Sequence, residues 1–191
     1  METPLCSFID FSQNSENVAR QLIGATFLVD GVGGIIVETE AYDQTDPASH
    51  SYVGKTPRNR VMFGEPAHIY VYRSYGIHWC VNFTCRETDH GAAVLIRALE
   101  PTHGIDIMKA HRKTENTHLL CAGPGRLCQA LAITHELNGI ALKASHFFLS
   151  PPPYPVRIIS GPRIGISKAV DMPWRFGLAD SPCLSKPFKK P

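Results

Sequence analysis

IIVETEAY, residues 35–42, is the stretch of sequence that decides the fold. Its β-branched and apolar residues predict a strand that is buried in a sheet. Because successive side chains of a strand point to opposite faces, Glu38 and Glu40 share one face, roughly 6.5–7 Å apart. Carboxylates on a buried face need cationic or hydrogen-bonding partners. The stretch therefore predicts both a strand of the core and a polar site beside it.

The sequence around this strand predicts two hairpins and an irregular order of strands and helices. The predicted strands span residues 25–30, 35–41, 68–72, 77–84, 92–99 and 156–159. The predicted helices span residues 12–22, 104–112 and 124–133. Gly33-Gly34 is the predicted turn of the first hairpin, and residues 73–76 form the turn of the second. This order predicts an α+β fold: a single mixed domain over residues 1–191 with a curved antiparallel sheet, flanking helices, a protruding β-hairpin and a frayed tail at residues 185–191.

Composition narrows the class of protein. At 191 residues, with 43% hydrophobic and 19% charged residues, the chain is typical of a soluble globular domain. No apolar run approaches the length of a bilayer span, and the N-terminus lacks the features of a secretory signal. We therefore expect an intracellular protein without membrane contact. The six cysteines and nine histidines contain no C-x-x-C or H-x-x-x-H pair, so we expect no metal and no other cofactor.

Charge is distributed unevenly along the chain, although the formal net charge is only +2. Residues 1–100 carry 7 Lys and Arg against 12 Asp and Glu, whereas residues 101–191 carry 12 against 5. A basic half can face phosphate, but an unevenly charged solvated surface explains the same counts. Arg58, Arg60 and Arg126 stand in short basic segments whose composition suits phosphate contacts, although such segments also occur in plain loops.

A lone arginine interrupts the apolar stretch at residues 92–99. Arg97 needs a buried partner there, as Glu38 and Glu40 do, so the three residues predict a salt bridge across the sheet. For Glu38 we favour this structural role. Glu40 stands at the end of the predicted strand, beside the loop at residues 42–55, where catalytic groups are commonly displayed.

The turn of the second hairpin carries an aromatic residue, Tyr75, between Arg73-Ser74 and Gly76. Proteins that distort duplex DNA often insert an apolar wedge into the base stack, and Tyr75 has the form of such a wedge. A tyrosine folded back onto the sheet fits the same spacing, so the sequence leaves both interpretations open.

Several motifs together resemble one known family. These are VETEAY (37–42), His50, TPRNRVMF (56–63), IYVYRSYGIHWCVN (69–82), VLIRALEP (94–101) and GPGRLCQALAI (123–133), with a weaker continuation at GPRIG (161–165). In this order they resemble the alkyladenine DNA glycosylases, also called 3-methyladenine or N-methylpurine DNA glycosylases. The resemblance covers most of the chain and implies a mixed domain with a curved antiparallel sheet and a protruding hairpin.

The resemblance also implies a role for each motif residue. Glu40 would be the general base, and Arg97 would help to hold the attacking water. The remaining roles concern the substrate: the flipped base would stack between Tyr42 and His50 on one side and Tyr72 on the other, Asn82 would face the base edge where guanine carries its amino group, and Tyr75 would fill the gap in the duplex.

By the same resemblance, the expected function is that of a monofunctional DNA glycosylase. It would flip alkylated or deaminated purines out of double-stranded DNA and hydrolyse the N-glycosidic bond, leaving an abasic site. No lysine occurs in the aligned pocket motifs, so Schiff-base chemistry is not expected, and we expect a monomer. Two other functions are alternatives. One is a sugar hydrolase that uses Glu38 and Glu40 as its acid and base, although side chains two apart on one strand seldom flank a bond from opposite faces. The other is a catalytically silent nucleic-acid-binding module, which would be expected to have lost Glu40.

Overall fold

An antiparallel sheet of eight strands forms the centre of the molecule in a computed structural model, which describes residues 8–188. The strands are β1 (Thr26–Val29), β2 (Val32–Asp43), β3 (Ile69–Ser74), β4 (His78–Thr84), β5 (Ala92–His103), β6 (Phe147–Ser150), β7 (Ile158–Gly161) and β8 (Arg175–Leu178). Their main order is β3-β4-β5-β2-β1-β6, while β8 pairs with β2 and β7 with β8.

Strand β2 is the organising strand because it has neighbours along its whole length. It pairs with β5 on one edge, and on the other edge its first residues pair with β1 and residues 38–40 pair with β8. Glu40 therefore lies inside the strand, which continues to Asp43, and not at its end as the sequence suggested. Its place in a three-neighbour strand explains why Glu40 is fully buried.

Three α-helices flank the sheet within residues 8–188: α1 (Ser15–Leu22), α2 (Ile105–Arg112) and α3 (Pro124–Ala130). Helix α1 starts later than predicted, because the Asn14 side chain caps it by accepting a hydrogen bond from the Asn17 N–H at 2.9 Å. Its buried residues Val18 and Leu22 follow the predicted face. The α+β prediction is confirmed.

The first hairpin turns at a different place from the predicted one. Asp30 and Gly31 have φ angles of 47° and 80° and form the turn, and Val29 pairs with Val32. Gly33 and Gly34 lie in the strand, where a Cβ would come within 2.1 Å of the Phe27 carbonyl oxygen or 1.9 Å of the Glu100 carbonyl oxygen. These two glycines are therefore required by close contact between strands and not by the turn.

The second hairpin, β3 to β4, forms as predicted and exposes its tip. Tyr75 and Gly76 have φ angles of 49° and 66°, and the Ile77 N–H donates to the Ser74 carbonyl oxygen at 3.0 Å. The Tyr75 side chain is 86% exposed. It does not fold back onto the sheet, which removes one of the two interpretations that the sequence left open.

The carboxyl-terminal residues differ from the predicted frayed tail. The Ser185 N–H and hydroxyl both donate to Glu38, and the guanidinium of Arg175 lies 3.9 Å from the centroid of the Phe188 ring. The prediction of fraying is therefore wrong for residues 185–188, because Glu38 binds Ser185 and Arg175 holds Lys186 and Phe188. Residues 189–191 lie outside the described range. No helix among the described residues is long and apolar enough to cross a membrane.

Candidate active site

One cavity of about 570 Å³ opens beside the tip of the second hairpin. Its wall is built from the end of β2, strands β3 to β5, the start of α3 and two loops, residues 47–50 and 164–168. This volume lies in the range of pockets that bind small molecules or single cofactor-sized groups. The size of this pocket and its position at the central strands are those expected of the predicted site.

Most of the predicted site residues meet at this cavity. Those that contribute to its wall are Tyr42, His50, Arg58, Tyr72, Tyr75, Asn82 and Arg97. Arg60 and Arg126 are exposed and lie outside the wall, so the structure does not bring them to the cavity. The side-chain positions agree with a single site, while each residue's role stays a prediction.

Glu40 lies directly behind the wall and is bound by residues that form it. Its Oε1 accepts a hydrogen bond from the Ile164 N–H at 2.7 Å, and its Oε2 accepts from the Tyr42 hydroxyl at 2.8 Å and from Arg97 Nη1 at 3.4 Å. All three donors stabilise a charged carboxylate. Glu40 is fully buried, so a group around it must move before a water molecule from the cavity can reach either oxygen.

Glu38, the neighbouring carboxylate, is held on the same face by a separate set of donors. Its Oε1 accepts from Arg97 Nε at 3.3 Å and from Arg175 Nε at 2.6 Å, and both its oxygens accept from Ser185. The charges alternate along the chain of contacts from Arg175 through Glu38 and Arg97 to Glu40. The predicted buried salt bridge is present, and it includes a second arginine that the sequence did not indicate.

The aromatic rings of the cavity are packed together. The rings of His50 and Tyr72 have centroids 4.4 Å apart and meet edge to face at 76°, while the guanidinium of Arg163 lies 4.7 Å from the centroid of the Tyr42 ring. A purine stacked between His50 and Tyr72 needs the rings to stand about 7–8 Å apart, which is two ordinary carbon contact distances. Entry of a base between them requires a rotation of the His50 or Tyr72 side chain.

Burial keeps the aromatic side chains of the cavity uncharged. It lowers the pKa of His50, with a further contribution from the Arg58 cation, and it raises the pKa of Tyr70 to about 12. Burial, with the nearby Glu40 carboxylate, raises the pKa of Tyr42 well above its usual range, and burial likewise raises that of Tyr72. A neutral aromatic lining favours a cationic ring by cation–π attraction.

Asn82 and the cations at the rim complete the wall. The amide Nδ2 of Asn82 donates to the Tyr70 carbonyl oxygen at 3.1 Å, which fixes a side chain that is only 3% exposed. At the rim, Arg58 donates to the Arg73 carbonyl oxygen at 3.3 Å, beside the exposed Tyr75. The rigid amide and the exposed rim are separate parts of the cavity.

Sequence reasoning missed several residues of this region. Arg163 is buried, forms a two-point contact with Asp46 and donates to the Ala41 carbonyl oxygen at 2.9 Å, so it ties the loop before His50 to β2. The GPRIG motif (161–165) was the available signal for it. Lys168 also lines the cavity, although it lies outside the motifs on which the expectation of no Schiff-base chemistry rests.

Cysteines and histidines do not form a metal site in the described part of the chain. Within residues 8–188 no group of three or more His, Cys, Asp or Glu side chains is arranged to hold a metal ion. The five cysteines in this range are free and buried, and burial raises the pKa of Cys80, which contributes to the cavity wall.

Comparison with known proteins gives the class of this molecule: it is a DNA glycosylase. The family model described as methylpurine-DNA glycosylase matches residues 9–182, and the chain belongs to that family. Its relatives include a protein of Nitrosospira multiformis, 63% identical over 183 residues, which cover 96% of this chain and 95% of that protein. Another, from Agrobacterium fabrum, is 58% identical, covering 94% and 91%. Both carry the provisional name 3-methyladenine DNA glycosylase, and the family resemblance inferred from the sequence is confirmed.

Proposed function

We propose that this enzyme flips alkylated or deaminated purines out of double-stranded DNA and hydrolyses their N-glycosidic bond, leaving an abasic site. The observation that carries the proposal is the buried Glu40–Arg97 pair, with atoms 3.4 Å apart, at the wall of an aromatic cavity. A charged carboxylate can serve a hydrolytic reaction, and neutral rings can serve recognition of a base. The family and the names of the relatives support the same activity.

Glu40 acts as the general base in the proposed reaction. Hydrolysis of an N-glycoside passes through a sugar with oxocarbenium character, so a carboxylate near C1′ both deprotonates water and offsets the positive charge. Water replaces the Tyr42 hydroxyl, which donates to Glu40 at 2.8 Å, when the site is occupied. Arg97 keeps its contact with Glu40 and orients the carboxylate.

The aromatic cavity selects the base. Alkylation at N3 or N7 makes a purine cationic, which improves it as a leaving group and increases its attraction to the rings of Tyr42 and Tyr72. Neutral lesions such as hypoxanthine lack that charge and need protonation as they leave. Asn82 presents a fixed amide at the cavity wall, where it disfavours bases that carry an exocyclic amino group at that edge.

Tyr75 fills the gap that a flipped nucleotide leaves in the duplex. Its exposed ring stands beside the cavity mouth, and stacking of an inserted side chain offsets part of the cost of unstacking. Arg58, Arg60 and Arg126 contact the DNA backbone, with Arg58 nearest to the cavity. In this proposal the enzyme acts as a monomer inside the cell, where its DNA substrate is.

The two rival functions receive less support. Glu38 accepts four hydrogen bonds and is fully buried, so it has no free oxygen with which to act as the acid of a sugar hydrolase. A silent binding module does not need the Glu40–Arg97 pair, which is costly to bury. The enzyme is monofunctional, because Lys168 is exposed to water and lacks the desolvated setting of an amine nucleophile.

One assay tests the proposed function. The protein is incubated with duplexes that contain 1,N6-ethenoadenine, hypoxanthine or 3-methyladenine, and each sample is divided with and without alkali. We expect breaks at the lesion only after alkali, and none with undamaged duplex or with Glu40→Gln. Intact strands for every lesion contradict the glycosylase activity. Breaks without alkali contradict the monofunctional mechanism.

A further inference from the structure

The carboxyl-terminal segment, residues 185–188, contacts the same ion pairs that hold Glu40. The Ser185 N–H donates to Glu38 Oε2 at 2.6 Å, and its hydroxyl donates to Glu38 Oε1 at 2.9 Å. The same hydroxyl oxygen accepts a hydrogen bond from Arg97 Nη2 at 3.4 Å. Ser185 therefore bridges the two side chains that lie between it and the carboxylate of the active site.

Arg97 is held on three sides. Its Nε contacts Glu38, its Nη1 contacts Glu40 and its Nη2 contacts Ser185, at 3.3, 3.4 and 3.4 Å. A planar guanidinium has a fixed fork of donors, so contacts at Nε and Nη2 determine where Nη1 points. Each of the three contacts is long for a charge-assisted hydrogen bond, so the direction of Arg97 depends on all three together.

The segment itself is anchored at a second point. Arg175 of β8 donates to Glu38 Oε1 at 2.6 Å and to the Lys186 carbonyl oxygen, and its guanidinium packs on the Phe188 ring at 3.9 Å. These contacts hold the residues that follow Ser185 beside the same buried carboxylate. A loose tail could not fix the position of one hydroxyl group in this way.

We propose that Ser185 is a positioning residue for the reaction. Its hydroxyl orients Arg97, and Arg97 in turn orients Glu40. This inference rests on the proposed function, and it assigns to the carboxyl-terminal segment a part in catalysis without contact with the substrate. Because Ser185 is outside the cavity wall, it contributes to the rate of the chemical step and not to binding of the lesion.

Substitution of one hydroxyl tests this inference. In Ser185→Ala the N–H to Glu38 remains, and only the hydroxyl between Glu38 and Arg97 is lost. We expect the single-turnover rate of excision of 1,N6-ethenoadenine to fall about tenfold, the effect of one hydrogen bond to a charged group on a reaction barrier. The dissociation constant for the same duplex should stay within about twofold, since only the barrier changes.

Two matched variants separate positioning from stability. Ser185→Thr keeps a hydroxyl and should restore most of the rate, whereas Ser181→Ala makes the same change four residues earlier and should leave the rate unchanged. Ser181 accepts a hydrogen bond from the Cys183 N–H and makes no contact with Glu38 or Arg97 among the hydrogen bonds of residues 8–188. Equal losses in Ser181→Ala and Ser185→Ala, or a Ser185→Thr variant as slow as Ser185→Ala, overturn the inference.

Wild type and Glu40→Gln are measured beside these variants. If wild type releases the base, Glu40→Gln does not, and Ser185→Ala equals wild type, the inference alone fails. If wild type releases no base from any lesion, the proposed function fails and the inference with it. A selective loss in Ser185→Ala, repaired by Ser185→Thr, supports both.

Discussion

Replacement of Glu38 by glutamine should destabilise the fold far more than an ordinary substitution. Glu38 is fully buried and accepts hydrogen bonds from Arg97, from Arg175 and, twice, from Ser185, at 2.6–3.3 Å. Glutamine keeps the volume but removes the charge, and its NH2 group must face donors that need an acceptor. Arg175 then loses its carboxylate partner, and Arg97 keeps only Glu40.

The size of this loss follows from the number and burial of the contacts. Removing one partner of a buried ion pair lowers the free energy of unfolding by about 3–5 kcal/mol, because the other charge remains buried without a partner. In a domain of this length, roughly 2–4 °C of melting temperature correspond to each kcal/mol, so we expect a decrease of roughly 6–20 °C. The excision rate of the folded fraction should fall much less than in Glu40→Gln.

Urea and thermal unfolding measure the loss, and Glu115→Gln is the matched control. Glu115 forms an ion pair with Lys109 at 2.9 Å, but its side chain is 87% exposed, so this substitution should cost less than about 1 kcal/mol. A loss in Glu38→Gln as small as in Glu115→Gln would refute the reasoning. So would a Glu38→Gln variant that folds normally and releases no base, since Glu38 would then be the general base.

Three further predictions concern the cavity. Tyr75→Ser should leave the unfolding free energy within about 0.5 kcal/mol, because the ring is 86% exposed, yet weaken binding of a lesion duplex by about 1–3 kcal/mol through lost stacking; unchanged binding and excision exclude Tyr75 as the wedge. Asn82→Ser should relax discrimination against guanine lesions, and an unaltered ratio of excision rates for adenine and guanine lesions contradicts the placement of Asn82 at the base edge. Burial, and then the Arg58 cation, lowers the pKa of His50 in the folded state, so the unfolded chain binds that proton at a higher pH. Wild type should therefore lose stability as the pH falls below about 6.5, and His50→Gln should lose less. If the unfolding free energy of wild type and of His50→Gln depends on pH in the same way, His50 is not the group whose protonation destabilises the fold.

Local patterns in the sequence predicted the helices and strands that depend mainly on residues close together in the chain. The aromatic hairpin and the amphipathic α1 form where their residues indicate. The first turn was misplaced because Asp30-Gly31 and Gly33-Gly34 are both good turn signals, and only the pairing of β1 with β2 decides between them. Contact with the neighbouring strand, and not backbone freedom alone, accounts for the second pair of glycines.

The sequence predicted the residues of the site but not their long-range partners. Glu38, Glu40 and Arg97 are charged residues in apolar strands, and this alone predicted that they contact one another. Arg175 contacts Glu38 across 137 positions and Ser185 does so across 147, and each stands in a segment without periodicity. No local pattern marks such partners, because their role arises only when β8 pairs with β2.

The arrangement of the aromatic rings in the cavity was also not predictable from the sequence. The motifs bring His50 and Tyr72 to one place, but their edge-to-face contact at 4.4 Å depends on the side-chain rotamers, which no sequence pattern indicates. The sequence therefore predicts which rings meet a base and says nothing of how far they stand apart.

The central claim is that Glu40 is the general base, and Glu40→Gln tests it most directly. Glutamine nearly preserves the volume, and the residues assigned to recognition, Tyr42, Tyr72 and Tyr75, are unchanged. The variant should bind ethenoadenine duplex in a gel shift with near wild-type affinity. Its single-turnover rate should fall by about 10²–10⁴-fold, the contribution of a positioned base. Base release by Glu40→Gln at a rate close to that of wild type contradicts the account.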